Sequence, residues 1–261
     1  MVRKQKKKKK KVKPTTLAFR WWMPVAVGLV FASIVALPHF FQRDEETGAM
    51  VPPGRWHYGI DLSHHNRTAD IKWDSLRVMT DMLGRTTRSI SKARTIRPVS
   101  FVILKATEGE TFRDKKFQSL WEEAASHGIK RGAYHFYRSS KDPLAQADHF
   151  IGTVGNLRYT DLPPVLDFET IHRGCDIKQL NEDLGIWLKA VETHYGRTPV
   201  IYCPDSFAKD IISREILDKY PVWVAHYGVL SPDVKKWKWW QFTDRAVVYG
   251  IHGEVDLSVF Q

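Results

Sequence analysis

Cysteine is scarce in this chain of 261 residues: only Cys175 and Cys203 are present, 28 positions apart. That spacing fits no metal-binding motif, and it leaves one disulfide or two free thiols as equal possibilities. Internal repeats are absent, which excludes a solenoid or propeller. Low-complexity sequence is absent beyond the first 20 residues. Acidic residues are missing from residues 1–20, which carry ten Lys or Arg. The chain as a whole has 40 basic and 29 acidic residues, so removing that tail leaves 30 against 29 and a nearly neutral remainder. The net charge of +11 is therefore a property of the tail, and it does not mark the folded part as a nucleic-acid binder.

Charge of either sign is also missing from residues 21–42, WWMPVAVGLVFASIVALPHFFQ. A helical bilayer crossing needs roughly 20 apolar residues, and Trp21, Trp22, Phe40 and Phe41 fit the aromatic belts at its two ends. Pro24 and Pro38 lie near the ends, where they harm a helix least. A cleaved signal peptide shares the basic start and apolar core, but cleavage after Ala36 would place Ile34 at the −3 position, and the tail is long for such a peptide. The reading adopted is an uncleaved, single-pass signal anchor. The positive-inside rule puts residues 1–20 in the cytoplasm, where lysines beside a membrane meet acidic lipid, and everything after Arg43 outside.

Residues 43–56 are charged, contain Gly and Pro, and read as a linker. From residue 57 onward short apolar runs alternate with amphipathic stretches. The runs are 58–63, 101–106, 132–137, 163–169, 199–203, 221–227, 237–243 and 254–260. Most are apolar on both faces, as strands covered by helices are. Phe117, Leu120, Trp121, Ala124 and Ala125 follow helical spacing up to Gly128. Ile177, Leu180, Leu184, Trp187, Leu188 and Val191 do the same between a cap at Asp176 and a stop at Gly196. The alternation predicts a parallel α/β sheet of right-handed units. Closer strand spacing after residue 220 predicts an irregular barrel with helices only in its earlier part. Residues 77–98, rich in Arg, Thr and Ser, read as a helix followed by a basic excursion of no assigned role.

The chemistry concentrates at the ends of these runs. Pro163-Pro164-Val165-Leu166-Asp167-Phe168-Glu169 is an apolar run ending in two carboxylates spaced i, i+2. On a strand they share one face. Their Cα atoms would be roughly 6.6 Å apart at ~3.3 Å per residue, which does not decide between retaining and inverting glycoside hydrolysis. A lone Asp-x-Glu can equally be a strand end that meets water. Other run ends add Asp61, Glu108, His135, Tyr137, Tyr202, His226, Tyr227, Gln241 and Asp256, and chemistry in a parallel barrel gathers at the strands' C-terminal ends. Flat aromatic faces suit sugar rings, with Trp223 or Trp240 as candidates, although aromatics also fill ordinary cores. His64 and His65 lack a third metal ligand at regular spacing. No metal or other cofactor is expected.

The segments YGIDLSHHN, FVILKATEG, GAYHFY, PPVLDFE, PVIYC, VWVAHY, WWQFT and VDLSVF, in that order over residues 57–261, resemble the glycoside hydrolase family 25 lysozymes, the Chalaropsis-type N-acetylmuramidases. The resemblance implies a (β/α)5(β)3 TIM-like barrel. It also implies cleavage of the β-1,4 bond between N-acetylmuramic acid and N-acetylglucosamine in peptidoglycan glycan strands. By position, Glu169 corresponds to the general acid and Asp167 to the carboxylate that assists the substrate's 2-acetamido group. Asp61 and Asp256 correspond to two further acids on the floor of the groove. Tyr134, His135, Tyr137, Tyr202, Trp223 and Tyr227 correspond to residues lining the sugar sites, and Gln241 is added as a binding candidate from its strand end.

Three features depart from the family pattern. Asn66 stands where many members have Gln, and Ser258 where many have Asn. The basic segment 77–98 is longer than the usual link between the first two strands and is expected to reshape one end of the groove. The chain ends at Gln261 without wall-binding repeats, and the membrane anchor is expected to take their place in holding a monomeric enzyme beside the wall. A catalytically dead glycan-binding domain and a hydrolase of another N-acetylhexosamine glycan, such as chitin, are the competing readings.

Overall fold

The computed structural model describes residues 47–68 and 71–260. The expected tail and anchor, residues 1–20 and 21–42, lie outside them. Among the described residues no helix is long and apolar enough to cross a membrane. In chain order the strands are β1 (Thr47–Met50), β2 (His57–Leu62), β3 (Arg77–Thr80), β4 (Arg85–Thr87), β5 (Thr95–Glu108) and β6 (Phe112–Arg113). They continue with β7 (Lys130–Phe136), β8 (Val165–Asp167), β9 (Val200–Pro204), β10 (Val222–Ala225), β11 (Trp237–Ala246) and β12 (Val255–Phe260). The helices are α1 (Phe117–Ser126), α2 (Pro143–Val154), α3 (Ile177–Tyr195), α4 (Asp205–Asp210) and α5 (Arg214–Lys219).

Eight of the strands close into a barrel in the order β5-β2-β12-β11-β10-β9-β8-β7, with β7 returning to β5. These are the eight apolar runs of the sequence. All neighbours are parallel except β12, which runs antiparallel to both β11 and β2. The two helices read from periodicity are α1 and α3. On α3, the Asp176 side chain caps the start by accepting from the Gln179 N–H at 2.9 Å, and Gly196 ends it with φ of 61°. α2 begins in the same way, with Asp142 as cap and Pro143 as first helical residue.

The link from β2 to β5 corrects the expected first β/α unit. Among the described residues between β2 and β5 there is no α-helix. A 3-10 turn at Trp73–Ser75 leads instead into β3 and β4, which form a small antiparallel sheet with β1 and the start of β5. Thr and Arg side chains with no helical apolar stripe cannot cover a barrel as a helix does, but they pair readily as short strands. Thr86 is fully buried and its Oγ1 accepts from the Val247 N–H at 3.0 Å, tying this sheet to the segment after β11. β1 also corrects the reading of residues 43–56 as linker throughout, since its pairing partner β4 was not foreseen.

Two apolar clusters follow from strand alternation. Phe101, Ile103, Val165, Val200, Tyr202, Trp223 and Trp239 fill the barrel interior. The opposite faces, with Val102, Leu104, Leu166 and Ile201, pack against helix residues such as Phe150, Leu184 and Trp187. Cys175 and Cys203 are both free thiols, and burial pushes the Cys203 thiol up to about 12.

Gly59 lies opposite Phe101 across β2 and β5, where a Cβ would overlap the Phe101 ring. That ring is wedged against Phe260 at 5.3 Å and Trp239 at 6.4 Å. Gly59→Ala is therefore expected to destabilise the barrel by about 1–3 kcal/mol through overpacking. Chemical denaturation measures this, and an unchanged midpoint would show that the ring can give way.

Candidate active site

The inward positions that end the barrel strands converge on one cleft of about 290 Å³. Asp61 from β2, Asp167 at the end of β8, Glu169 two residues on and Asp256 from β12 all line it. Asp61 and Asp256 are direct cross-strand partners. Phe168, between Asp167 and Glu169, is fully buried in the outer core. The chain is held on both sides there: the Tyr137 N–H donates to the Asp167 carbonyl and the Phe168 N–H to the Tyr202 carbonyl, both at 2.8 Å. Asp61 and Asp167 are buried, Asp256 is half-buried, and Glu169 is exposed at the mouth.

Crowding dictates the electrostatics. Burial raises the Asp61 carboxyl well above the usual carboxylate range, and the neighbouring Asp256 raises it further. Asp256, its cross-strand partner, is raised as well, by its own burial first. Asp167 is likewise raised well above the range, by burial first and then by Glu169. Its Oδ1 is buried without a hydrogen-bond partner within the protein. Glu169 is raised by desolvation at the cleft wall and by Asp256. Each acid keeps its proton to higher pH than it would in water.

Tyr134, Tyr202, Trp223, Tyr227 and Gln241 line the same cleft. Gln241 organises that wall: its Nε2 donates to Asp61 Oδ2 at 2.9 Å, and its Oε1 accepts from the Tyr202 hydroxyl at 2.8 Å and from the Tyr227 hydroxyl. Trp223 is fixed by Nε1 donating to Ser258 Oγ at 3.0 Å. Ser258, set apart above as a departure from the family pattern, thus positions an indole of the cleft.

His135 and Tyr137 are not in the cleft. Alternation explains this, because Tyr134 and Phe136 point inward and His135 must then point outward. His135 is completely buried, bonded to Thr107 Oγ1 at 2.8 Å and Gln146 Oε1 at 3.1 Å, and stacked on Trp187 at 5.6 Å. Burial lowers its pKa to about 3, so it is neutral. Tyr137 packs against Phe168 in the same core. Trp240 also faces outward, with Nε1 donating to the His226 carbonyl at 2.8 Å.

The cleft also contains residues that were not foreseen: Ser63, His65, Lys105 and Phe136. The signal for Lys105 was present, since it is the only charge within the apolar run 101–106. His64 turns away from the cleft to Asp114, with 2.7 Å between Nδ1 and Oδ2, leaving His65 on the cleft side. No residue of 77–98 lines the cleft, which corrects the expectation that this segment reshapes it. Asp205, His226 and Asp233 bring potential metal ligand atoms within 4.8 Å of one another. Lys209 already lies 3.5 Å from Asp205 and 3.0 Å from Asp233, so the cluster is an ion-pair network around an ammonium.

Comparison with known proteins places this geometry. Residues 60–251 match the family model "Glycosyl hydrolases family 25". The chain belongs to that family. It is 35% identical over 213 residues to YegX of Escherichia coli strain K12, covering 80% of this chain and 71% of that one. It is 31% identical over 216 residues to lysozyme M1 of Streptomyces globisporus, covering 77% and 67% respectively. The crystal structure of a bacterial lysozyme from Streptomyces coelicolor superposes with a TM-score of 0.66 at 30% identity, over 80% of this chain and 94% of that one. The closed eight-strand α/β barrel is thus the family 25 architecture, with the small antiparallel sheet standing where a helix was expected after its first strand.

The raised carboxyls make a prediction about stability. A folded acid with a raised pKa holds a proton that the unfolded chain releases. Its contribution is therefore most favourable below the unfolded value and is lost as pH climbs through the folded one. Asp61→Asn removes that loss, and it is expected to raise the melting temperature at pH 7 while leaving it nearly unchanged at pH 4. Equal shifts at the two pH values would contradict the assignment.

Proposed function

We propose that this family 25 glycosidase is a muramidase that hydrolyses the β-1,4 bond between N-acetylmuramic acid and N-acetylglucosamine in peptidoglycan. The observation that carries the reading is the convergence of Asp61, Asp167, Glu169 and Asp256 on one cleft, with Glu169 alone exposed at its mouth. The relatives named lysozyme and, in Chalaropsis, N,O-diacetylmuramidase support the substrate class.

Glu169 is the general acid: a carboxyl whose proton is retained by desolvation and by Asp256 can deliver it to the leaving glycosidic oxygen. The substrate's 2-acetamido oxygen attacks the anomeric carbon as that bond breaks. Asp167 accepts the hydrogen bond of the acetamido N–H and stabilises its developing positive charge, a recognised exception to the two-carboxylate scheme. Its Oδ1, buried and without a partner within the protein, is the atom available for that contact. Glu169, now ionised, then takes a proton from the water that opens the cyclic intermediate, which restores both groups. Asp61 and Asp256 form the floor that keeps the local charge negative. Tyr202, Tyr227 and Trp223 wall the sugar. Residues 21–42 anchor the protein in the cell membrane as a single pass, with the tail cytoplasmic and the barrel facing the wall.

Purified protein is expected to release muropeptides from sacculi. Glu169→Gln is expected to lower kcat by about 10²–10⁴-fold, with KM little changed. Asp167→Asn should lose rate on the same scale with an intact circular-dichroism spectrum. Wild-type protein that leaves sacculi intact, or variants that digest them equally well, would overturn the proposal.

A further inference from the structure

The small antiparallel sheet concentrates positive charge. Residues 77–98 carry six basic side chains and one acid, Asp81. Taking these from the 30 basic and 29 acidic residues beyond the tail leaves 24 against 28, so the rest of the chain is net negative. Five of the twelve large apolar side chains exposed among the described residues also lie on this sheet or its connections: Met50, Met82, Leu83, Ile90 and Ile96. The two kinds of side chain meet at one end of the sheet. Met50 pairs with Arg85 across β1 and β4. The Val51 N–H donates to the Gly84 carbonyl at 2.9 Å, which sets Met50 beside the turn bearing Met82 and Leu83. On the other side of that turn the Thr80 and Thr95 hydroxyls are 2.6 Å apart, and the Arg94 N–H donates to the Thr80 carbonyl at 2.7 Å. The tip thus presents Met50, Met82 and Leu83 flanked by Arg85 and Arg94, all exposed.

Exposed apolar side chains ringed by arginines suit a membrane interface, where the apolar groups enter the headgroup region and the cations meet acidic headgroups. Position along the chain points the same way. Met50 follows Gln42, the last residue of the charge-free stretch 21–42, by eight positions, so extended chain keeps it within roughly 30 Å of that residue. We propose that this tip docks on the outer leaflet of the membrane in which residues 21–42 are anchored, with acidic phospholipid as its ligand. This role rests on the anchor reading. A handful of such groups holds a bilayer weakly by itself, but a short tether makes the contact intramolecular, at an effective concentration of about millimolar. No residue of the tip lines the acid cleft, so the contact uses none of the side chains assigned to the glycan.

The full chain reconstituted in vesicles of phosphatidylcholine and phosphatidylglycerol tests the proposal. A fluorophore on Leu83→Cys, in a Cys175→Ser background, is read against the same fluorophore on Tyr159→Cys, an exposed site outside the small sheet. Spin-labelled lipid should quench more than about half of the Leu83 signal and little of the Tyr159 signal, because apolar groups at an interface sit ~5–10 Å into it. Vesicles of phosphatidylcholine alone, salt at about 1 M, or Arg85→Glu combined with Arg94→Glu should each abolish that difference. The neutral-lipid comparison decides the matter if the double variant does not fold. Carbonate-resistant protein with equal quenching at the two sites, or with Leu83 quenching that needs no phosphatidylglycerol, would overturn the inference alone. Equal quenching together with sacculus binding that the double variant loses would assign the tip to the wall instead. Protein that alkaline carbonate strips from the vesicles would overturn the anchor reading, and this inference with it.

Discussion

A closed sheet of eight strands leaves alternate side chains no choice of side. One set must fill the interior and the other must meet the helices. In this chain the interior set is apolar along most of each strand and becomes charged or polar at one end. Ile103 gives way to Lys105, Val165 to Asp167, and Trp239 to Gln241. Tyr202 and Trp223 belong both to the barrel's apolar filling and to the cleft wall. The same packing that holds the barrel together therefore supports the cleft. No loop has to be ordered to bring Asp61 and Asp256 together, because they are partners in the β-ladder.

That rigidity lets the protein do something unfavourable. Four carboxyl groups around one cleft repel one another, and three of them are buried or half-buried. The fold tolerates this because each acid is covalently placed by a strand whose outer face is anchored in the core, as Phe168 and Leu166 anchor β8. Site electrostatics here are a stored cost, consistent with acids tuned for proton transfer and not for stability.

Much of this was legible from the chain. Eight apolar runs became the eight barrel strands, and the pairs Asp176/Gly196 and Phe117/Gly128 marked real helix limits. Asp61, Asp167, Glu169 and Gln241 could be found because each is a polar residue toward the end of an apolar run; Asp256 stands near the start of its run and reaches the same rim because β12 is antiparallel to its neighbours. The misreadings have physical causes. His135 and Tyr137 were grouped with Tyr134 although period two puts neighbours on opposite faces, so a polar His in an apolar run was a satisfied core residue. The β3–β4 hairpin was hidden because its partner β1 is distant in sequence, β5 begins inside the stretch read as a basic excursion, and its strands are only three or four residues long. The two thiols could not be judged by spacing, since pairing depends on where the fold puts Cys203.

Catalysis turns on one property: Glu169 keeps its proton to higher pH than an ordinary glutamate because desolvation at the cleft wall, and then the charge of Asp256, disfavour its ionised form. Carbon-13 NMR of labelled glutamate carboxyls, with the Glu169 signal identified by its loss in Glu169→Gln, measures that titration directly. The account predicts a midpoint above that of ordinary glutamates, falling toward it in Asp256→Asn. A Glu169 that titrates at or below the ordinary value in the wild-type protein would contradict it.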